Sequence, residues 1–394
     1  MKGLGIEDKR RNLWLLRAAC FFQVFGFGIQ WSFIGVWMKD QGLGEALIGI
    51  ISSVSILLWL FCGLFWGRLA DSTGRPDRIV RCGCLILGLA LFYLSFCREP
   101  AEFILYAVLV GISLPMISTL MPLLAISVLG EGGRGKGYAS YRIFGSLGYV
   151  FASLVMPRVL GETRLLFWAG GAALMAALVP MLFFQSTGSK RRVKGLVSEV
   201  LRSRELIGFL VAVLFFALAI PAIFTFTTVN ARGLGADNSF IGLLAATQGV
   251  VALIALPLVG RGVDRFGARL LLVAAFIAQP LRALSLSFVS DYQWLLAPQI
   301  FHFFTWAGLE VSGVLFVVSL APPGGRATAQ AFYMGAQVLG NLLGSSLAGY
   351  LAEFHGYAIM YQVSSGAAAV GLGVFVGMLI MRRNRAVDQT NKEV

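Results

Sequence analysis

Charge is scarce in this chain. Asp, Glu, Lys and Arg make up 13% of its 394 residues, against about 25% in soluble globular domains, so an ordinary water-facing surface is excluded. Histidine is scarcer still. The two copies, His302 and His355, do not share a helix turn as a zinc pair would, and no nucleophile elbow or acyl-transfer constellation accompanies them. No enzyme activity and no metal or other cofactor are expected. The five cysteines, Cys20, Cys62, Cys82, Cys84 and Cys97, are odd in number and lack metal-ligand or disulfide-scaffold spacing. They read as small buried hydrophobes. Gly130-Glu-Gly-Gly-Arg-Gly-Lys136 has the outline of a phosphate loop, but Gly137 stands where Ser or Thr is needed and no strand precedes it, which disfavours ATP-driven pumping. A cleavable leader is not expected either. The run Leu16-Arg-Ala-Ala-Cys20 and the Arg10-Arg11 pair lack a short apolar core with a cleavage site, and apolar sequence continues through Trp37 as an uncleaved span.

What the chain has is hydrophobic sequence, 58% of residues, with a mean hydropathy of +0.80. A membrane-crossing helix needs about 20 predominantly apolar residues. Twelve such runs are expected, over 14–38, 47–67, 79–97, 102–129, 137–156, 164–184, 206–230, 240–260, 268–289, 292–320, 327–350 and 357–381. The long polar connection, Gln185 to Glu205, divides them into an N-terminal six-helix bundle (1–185), a cytoplasmic linker (186–205) and a C-terminal six-helix bundle with a short tail (206–394). The net charge of +13 could indicate a nucleic-acid partner, but the basic residues cluster between apolar runs, as the positive-inside rule requires. With the N-terminus inside, 25 Lys and Arg fall at inner ends, and five, Lys39, Arg98, Arg158, Arg164 and Arg232, fall outside. Both termini are therefore expected in the cytoplasm, in a cell membrane of the bacterial inner-membrane type. The expected partners are lipid, protons and a small solute, with no nucleic acid, for a chain that functions as a monomer.

An internal repeat supports the division. Ile48-Gly49 opens the second run and Gly67-Arg-Leu-Ala-Asp71-Ser-Thr-Gly74-Arg75 closes it; Ile241-Gly242 opens the eighth and Gly260-Arg-Gly-Val-Asp264-Arg-Phe-Gly267 closes it. The preceding outer loops echo each other as Gly42-Leu-Gly and Gly233-Leu-Gly.

The loop from Gly67 to Arg78 resembles the signature of the major facilitator superfamily. With twelve spans and a half-length duplication, the resemblance covers essentially the whole chain. It implies an all-α membrane fold of two six-helix bundles with pseudo-two-fold symmetry around a midplane cavity, working by alternating access. It also implies a cytoplasmic latch of Asp71, Arg75 and Arg78, with Asp264 as a weaker second copy; the plain alternative is a charged loop obeying topology rules. A closer resemblance is to the branch of lactose permease, nucleoside:proton symporters and the phenylpropionate permease type. Arg142-Ile-Phe-Gly-Ser-Leu-Gly is similar to its Arg-x-Phe/Trp-Gly-x-x-Gly, Arg282 and His302 have the separation of its essential Arg and His, and Gln299-x-x-His302-x-x-Thr305 resembles its Gln-x-x-His-x-x-Thr. The lactose permease charge network is not complete: the fourth run reads Pro122-Leu-Leu-Ala without a carboxylate, the eighth offers Gln248 and Gly249, and Gln337 replaces a lysine.

Ionisable groups near the bilayer centre cost roughly 2.5 to 3.5 kcal/mol on insertion scales, so they are retained where they face a partner or a watery cavity. Gln299, His302, Trp306 and Glu310 step by three, four and four residues and are expected as one stripe of a helix. Glutamate and histidine are side chains that can load and release a proton when desolvated near neutral pH. Glu310 is the expected proton carrier, with a structural ion pair as its alternative, and His302 is a solute contact or relay, with a packing histidine as its alternative. Arg142 and Arg282 are expected solute ligands, suited to hydroxyls or a carboxylate; Arg142 could instead snorkel to inner headgroups. Gln23 and Gln30 on the first helix, and Gln337 and Asn341 on the eleventh, could add neutral hydrogen bonds to solute or join helices. The leading expectation is a proton-coupled symporter importing a small polar or amphipathic organic solute such as a sugar, nucleoside or aromatic acid. A proton-driven drug or siderophore exporter of the same superfamily is the alternative, against which the fifth run lacks the Gly-Pro antiporter pattern.

Overall fold

The structure is a computed structural model describing residues 6–129, 134–184, 203–321 and 325–390, which are predominantly helical with no strand among them. The phosphate-loop-like segment and the central linker fall largely outside the described residues. Ten helices among the described residues are long and apolar enough to cross a membrane. Large side chains stay exposed along them, among them Phe61, Leu64, Phe183, Trp294 and Ile300. So much contiguous apolar surface is incompatible with water and fits lipid.

In the first half, α1 (Ile6–Asp40) packs on α6 (Arg134–Leu154) and α8 (Thr163–Phe183); α2 (Glu45–Thr73) packs on α4 (Pro100–Ser118); and α3 (Pro76–Leu94) packs on α4 and α8. The fourth span carries Pro115 and Pro122, which can bend a helix, and the helix is interrupted between them at Thr119, after which α5 (Leu120–Leu129) begins. A short α7 (Met156–Leu160) links α6 to α8.

The second half comprises α9 (Arg204–Leu218), α10 (Ile220–Gly233), α11 (Asn238–Phe266), α12 (Ala268–Leu286), α13 (His302–Ala307), α14 (Val314–Leu320) and α15 (Arg326–Thr390). The last is helical throughout except at Gly356, where φ is 84° and two helices meet. The tenth span departs from the uniform helix expected for it. It is wound as a 3₁₀ helix over Tyr292–Phe301, as α over α13, as a π-helix over Gly308–Gly313 and as α again over α14.

By compactness the chain forms two units, one of residues 1–192 with 228–250 and the other of 193–227 with 251–394. The core of the second is aromatic: Phe209 stacks on Tyr333 with centroids 5.8 Å apart, and Phe276 on Phe375 at 4.7 Å. Such pairs add about 0.5–1.5 kcal/mol each beyond area burial. Close helix approach does the rest, since van der Waals packing replaces the hydrophobic effect in lipid. Gly145 and Gly148 sit against Cys20 and the Phe21 carbonyl of α1, and Gly340 and Gly344 against the Leu214 and Leu218 carbonyls of α9.

Backbone geometry carries the sequence repeat further. Every positive-φ residue among those described is a glycine, and four of them pair at one interval: Gly42 with Gly235, and Gly74 with Gly267, each 193 residues apart. Gly42 and Gly235 close their helices identically, their N–H groups bonding Lys39 O and Arg232 O, while Leu43 and Ala236 reach back to Met38 O and Ala231 O. Structural equivalence thus places Gly42 opposite Gly235, two residues beyond the match suggested by the Gly-Leu-Gly echo.

Candidate functional site

Within the second unit, α12 carries Arg282 to a position of zero solvent exposure. Its guanidinium is held from three sides. Nη2 donates to Gln299 Oε1 at 2.6 Å, Nη1 donates to Thr305 Oγ1 at 3.2 Å, and Nη1 lies 3.0 Å from His302 Nδ1. Gln299 is oriented in turn by donating to Leu295 O at 3.0 Å. Above the plane, the Phe224 ring centroid lies 5.1 Å from the guanidinium carbon, a cation–π contact. His302 is sandwiched by Phe224 at 5.5 Å and Trp306 at 5.9 Å.

The winding of the tenth span explains which residues meet. In a 3₁₀ helix residues three apart eclipse one another, so Gln299 and His302 line up, and Thr305 follows one turn into α13. The stripe expected from uniform α geometry, through Trp306 to Glu310, is therefore redirected. Thr305 joins the arginine, Trp306 becomes a half-buried wall against His302, and Glu310 lies in the π-helical stretch, exposed. The Tyr333 hydroxyl donates to Leu309 O at 2.7 Å and fills the space a side chain at Gly313 would need. π-helical turns occur frequently at functional sites.

Chemically the cluster is a cation held by neutral acceptors. No carboxylate pairs with Arg282 among the described residues. An arginine has only donors, so His302 Nδ1 must accept and the ring proton sits on Nε2. A second proton on Nδ1 would face the guanidinium N–H and break this bond, so His302 cannot relay a proton in this arrangement without releasing Arg282.

The other expected site residues are dispersed. Arg142 is exposed on α6, in the other unit. Gln23 and Gln30 are buried on α1, and their Oε1 atoms find no hydrogen-bond partner among the described residues. Gln337 and Asn341 are half-buried, with Asn341 Nδ2 donating to Gln337 O at 2.9 Å. At the expected latch, Asp71, Arg75, Arg78 and Asp264 are exposed, and the ion pair present is Asp77 with Arg81 at 3.1 Å. The motif's Gly74 caps α2 with φ 66°, its N–H bonding Ala70 O at 2.8 Å.

A polar clasp in the first unit escaped sequence reasoning. Arg232 Nε lies 3.0 Å from Asp40 Oδ1, and Arg232 Nη1 donates to Ala236 O at 2.9 Å. Its Nη2 donates to Asn238 Oδ1, whose Nδ2 donates to Gly161 O at 2.6 Å and to Thr163 Oγ1 at 3.0 Å. Arg232 had registered only as one of five exceptions to the charge rule; that exception was the available signal.

Comparison with known proteins agrees with this architecture. A family model described as the MFS_1 like family matches residues 13–363. The chain is 27% identical over 401 residues to Multidrug resistance protein MdtG of Dickeya zeae, covering 95% of this chain and 96% of that one. It is 23% identical to the MdtG of Salmonella typhimurium, covering 96% and 98%. Among solved structures, the nucleoside transporter NupG superposes with a TM-score of 0.81 at 15% identity, covering 93% of this chain and 99% of that one. The POT family transporter PepTSo superposes with a TM-score of 0.77 at 14% identity, covering 95% and 98%. A span-by-span membrane architecture, a match over most of the length and full-length likeness to transporters converge on one assignment: the chain belongs to the MFS_1 like family and is a multi-pass membrane transporter of the major facilitator superfamily.

Proposed function

We propose that the chain is a proton-coupled secondary transporter of a small amphipathic organic solute, with Glu310 as the group that carries the proton. One observation supports this most: Glu310 is the sole acidic residue inside the tenth span, it is exposed, and it lies in a π-helical stretch one helical segment from the Arg282 cluster. A carboxylate kept within an apolar span is retained for use. Arg282 and His302 act in this reading as the rigid frame beside it, because both guanidinium Nη groups and His302 Nδ1 are engaged by protein, while Arg282 Nε is buried without a partner among the described residues. Gln23 and Gln30, whose buried oxygens are open to a donor, are the solute contacts we favour in the first half; Arg142, Gln337 and Asn341 are secondary candidates.

The number of spans in this reading is twelve. Ten are long and apolar enough by composition, α3 with its 19 residues adds one despite the charges in its first turns, and Gly356 divides the last into two. The equal spacing of the helix-closing glycines supports two related halves, with Asp71, Arg75 and Arg78, and Asp264, at corresponding inner ends as the gating loops. Both termini are on the cytoplasmic side of the bacterial inner membrane, and the working unit is a monomer.

For direction, export in exchange for protons is favoured by full-length relatives named for multidrug resistance. Symport into the cell is the second reading, favoured by the Gln299, His302 and Thr305 run and its convergence on Arg282. Reconstituted liposomes distinguish the two. Solute added outside is expected to drive protons outward if the mechanism is exchange, and to draw them inward with it if it is symport. Glu310→Gln is expected to keep solute-for-solute exchange and to lose gradient-driven accumulation; unimpaired accumulation would remove Glu310 from the mechanism.

A further inference from the structure

The five basic residues that violate the charge rule are not alike. Lys39 pairs with Glu45 at 2.7 Å, Arg232 pairs with Asp40 at 3.0 Å, and Arg158 donates to the Leu154 carbonyl. Arg98 and Arg164 have no carboxylate within 4.0 Å among the described residues. Instead they share a cavity of about 170 Å³ with Trp37, Gln41, Ser95 and Phe96. Of the adjacent carboxylates, Glu102 Oε2 accepts the backbone N–H of Arg98 at 2.7 Å and of Glu99 at 3.0 Å and attracts the Arg98 guanidinium from beyond ion-pair distance, and the Glu99 side chain completes the capping box of α4. The walls are fixed by contacts from distant parts of the unit. Trp168 Nε1 donates to Ser95 Oγ at 3.0 Å, Trp37 Nε1 donates to Leu94 O at 3.1 Å, and Arg164 lies over the Phe96 ring at 4.7 Å.

We propose that this cavity binds a phosphate oxyanion between Arg98 and Arg164, supplied by an anionic phospholipid headgroup or by free phosphate. Arg98 and Arg164 are both exposed, so an anion can reach the two guanidiniums at this cavity from outside, and their planar donor forks match phosphate oxygens. Tryptophans at a span end mark headgroup depth. Leu85 and Leu89 along α3, and Leu165 and Trp168 along α8, are exposed and apolar, a surface on which an acyl chain can lie. The lipid is thus the source the surroundings favour.

The test uses the full chain in detergent. Native mass spectrometry after incubation with equimolar phosphatidylglycerol and phosphatidylcholine is expected to show retention of the anionic lipid in about fivefold excess or more, the scale of a lost charge-assisted contact. Arg98→Gln with Arg164→Gln should bring that ratio to parity, whereas Arg158→Gln, which removes an outer charge away from the cavity, should leave it unchanged. Arg164→Lys, which keeps the charge but removes the fork, should lie between, and it serves if the double variant does not fold. Equilibrium dialysis with inorganic phosphate reads the other source: saturable binding lost in the double variant, without lipid preference, assigns the site to free phosphate. Equal retention of the two lipids together with no phosphate binding, or a preference that survives the substitutions, overturns the proposal.

Discussion

The Arg282 cluster makes an asymmetric prediction about stability. Gln299→Leu removes the acceptor 2.6 Å from a guanidinium that has no contact with solvent, so a charged donor is left unsatisfied. Hydrogen bonds to charged groups contribute about 1.5–3 kcal/mol in water-soluble proteins, while interhelical bonds measured in a membrane protein average about 0.6 and reach about 1.7 kcal/mol. Zero exposure and the short distance place this one near the upper membrane figure, so Gln299→Leu should destabilise by about 1.5 kcal/mol beyond its packing effect. Arg282→Met removes the cation itself, after which Gln299 has no charge left to satisfy. Replacing a buried charged cluster by apolar groups is often close to neutral, so the double variant should be less destabilised than the sum of the singles by about 1 kcal/mol or more. Reversible unfolding in mixed micelles, run as a double-mutant cycle, measures this coupling. Additivity within about 0.5 kcal/mol would refute the account of Arg282 as a cation dependent on neutral acceptors.

The remaining predictions are briefer. Asp40→Asn should loosen the clasp by about 0.5–1 kcal/mol, the worth of a partly exposed ion pair, read as a roughly two- to fivefold faster modification of a cysteine placed at Glu162, exposed next to Gly161 of the clasp; Asp40→Glu, which keeps the carboxylate, should change the rate less. Gly344→Leu drives a side chain into the Leu218 carbonyl and should prevent folded, monodisperse expression, whereas the same change at Gly366, where nothing lies within 4 Å, should be tolerated. Gly74→Ala places a side chain in the left-handed region at φ 66°, ψ 19° and should cost about 1 kcal/mol in thermal unfolding; Gly267, at φ 81° and ψ 153°, sits where essentially only glycine is found, so Gly267→Ala should cost more, about 2–3 kcal/mol, and an equal loss at the two sites would refute this.

Much of the molecule was legible because membrane helices write themselves plainly. Long apolar runs and the repeated Gly and Asp positions located the helices, whereas the carbonyls that Gly340 and Gly344 pack against are seen only in the structure. Gln299, His302, Thr305 and Arg282 were singled out by the resemblance to the permease branch. Glu310 could not be placed, since its direction depends on a change from 3₁₀ to π winding within one span. Hydropathy averages over a dozen or more residues and is blind to that. The Asp40, Arg232 and Asn238 clasp was hidden for another reason: its members are polar residues near helix ends, where charge is unremarkable, and only tertiary structure brings Gly161 and Thr163 to Asn238. Arg142 shows the converse, a motif residue whose side chain the fold leaves exposed.

Arg282 also bears on electrogenicity. Moving one elementary charge through the full membrane potential is worth about 2.3 kcal/mol per 100 mV. Its hydrogen-bond partners among the described residues and its aromatic neighbour belong to its own unit, so in the alternating-access reading the guanidinium keeps its cage and is not itself carried across with the solute. On the proton-coupled mechanism proposed above, the voltage dependence of turnover is then set by the solute and the coupled proton, and replacing Arg282 with an uncharged residue should leave the current carried per solute molecule unaltered.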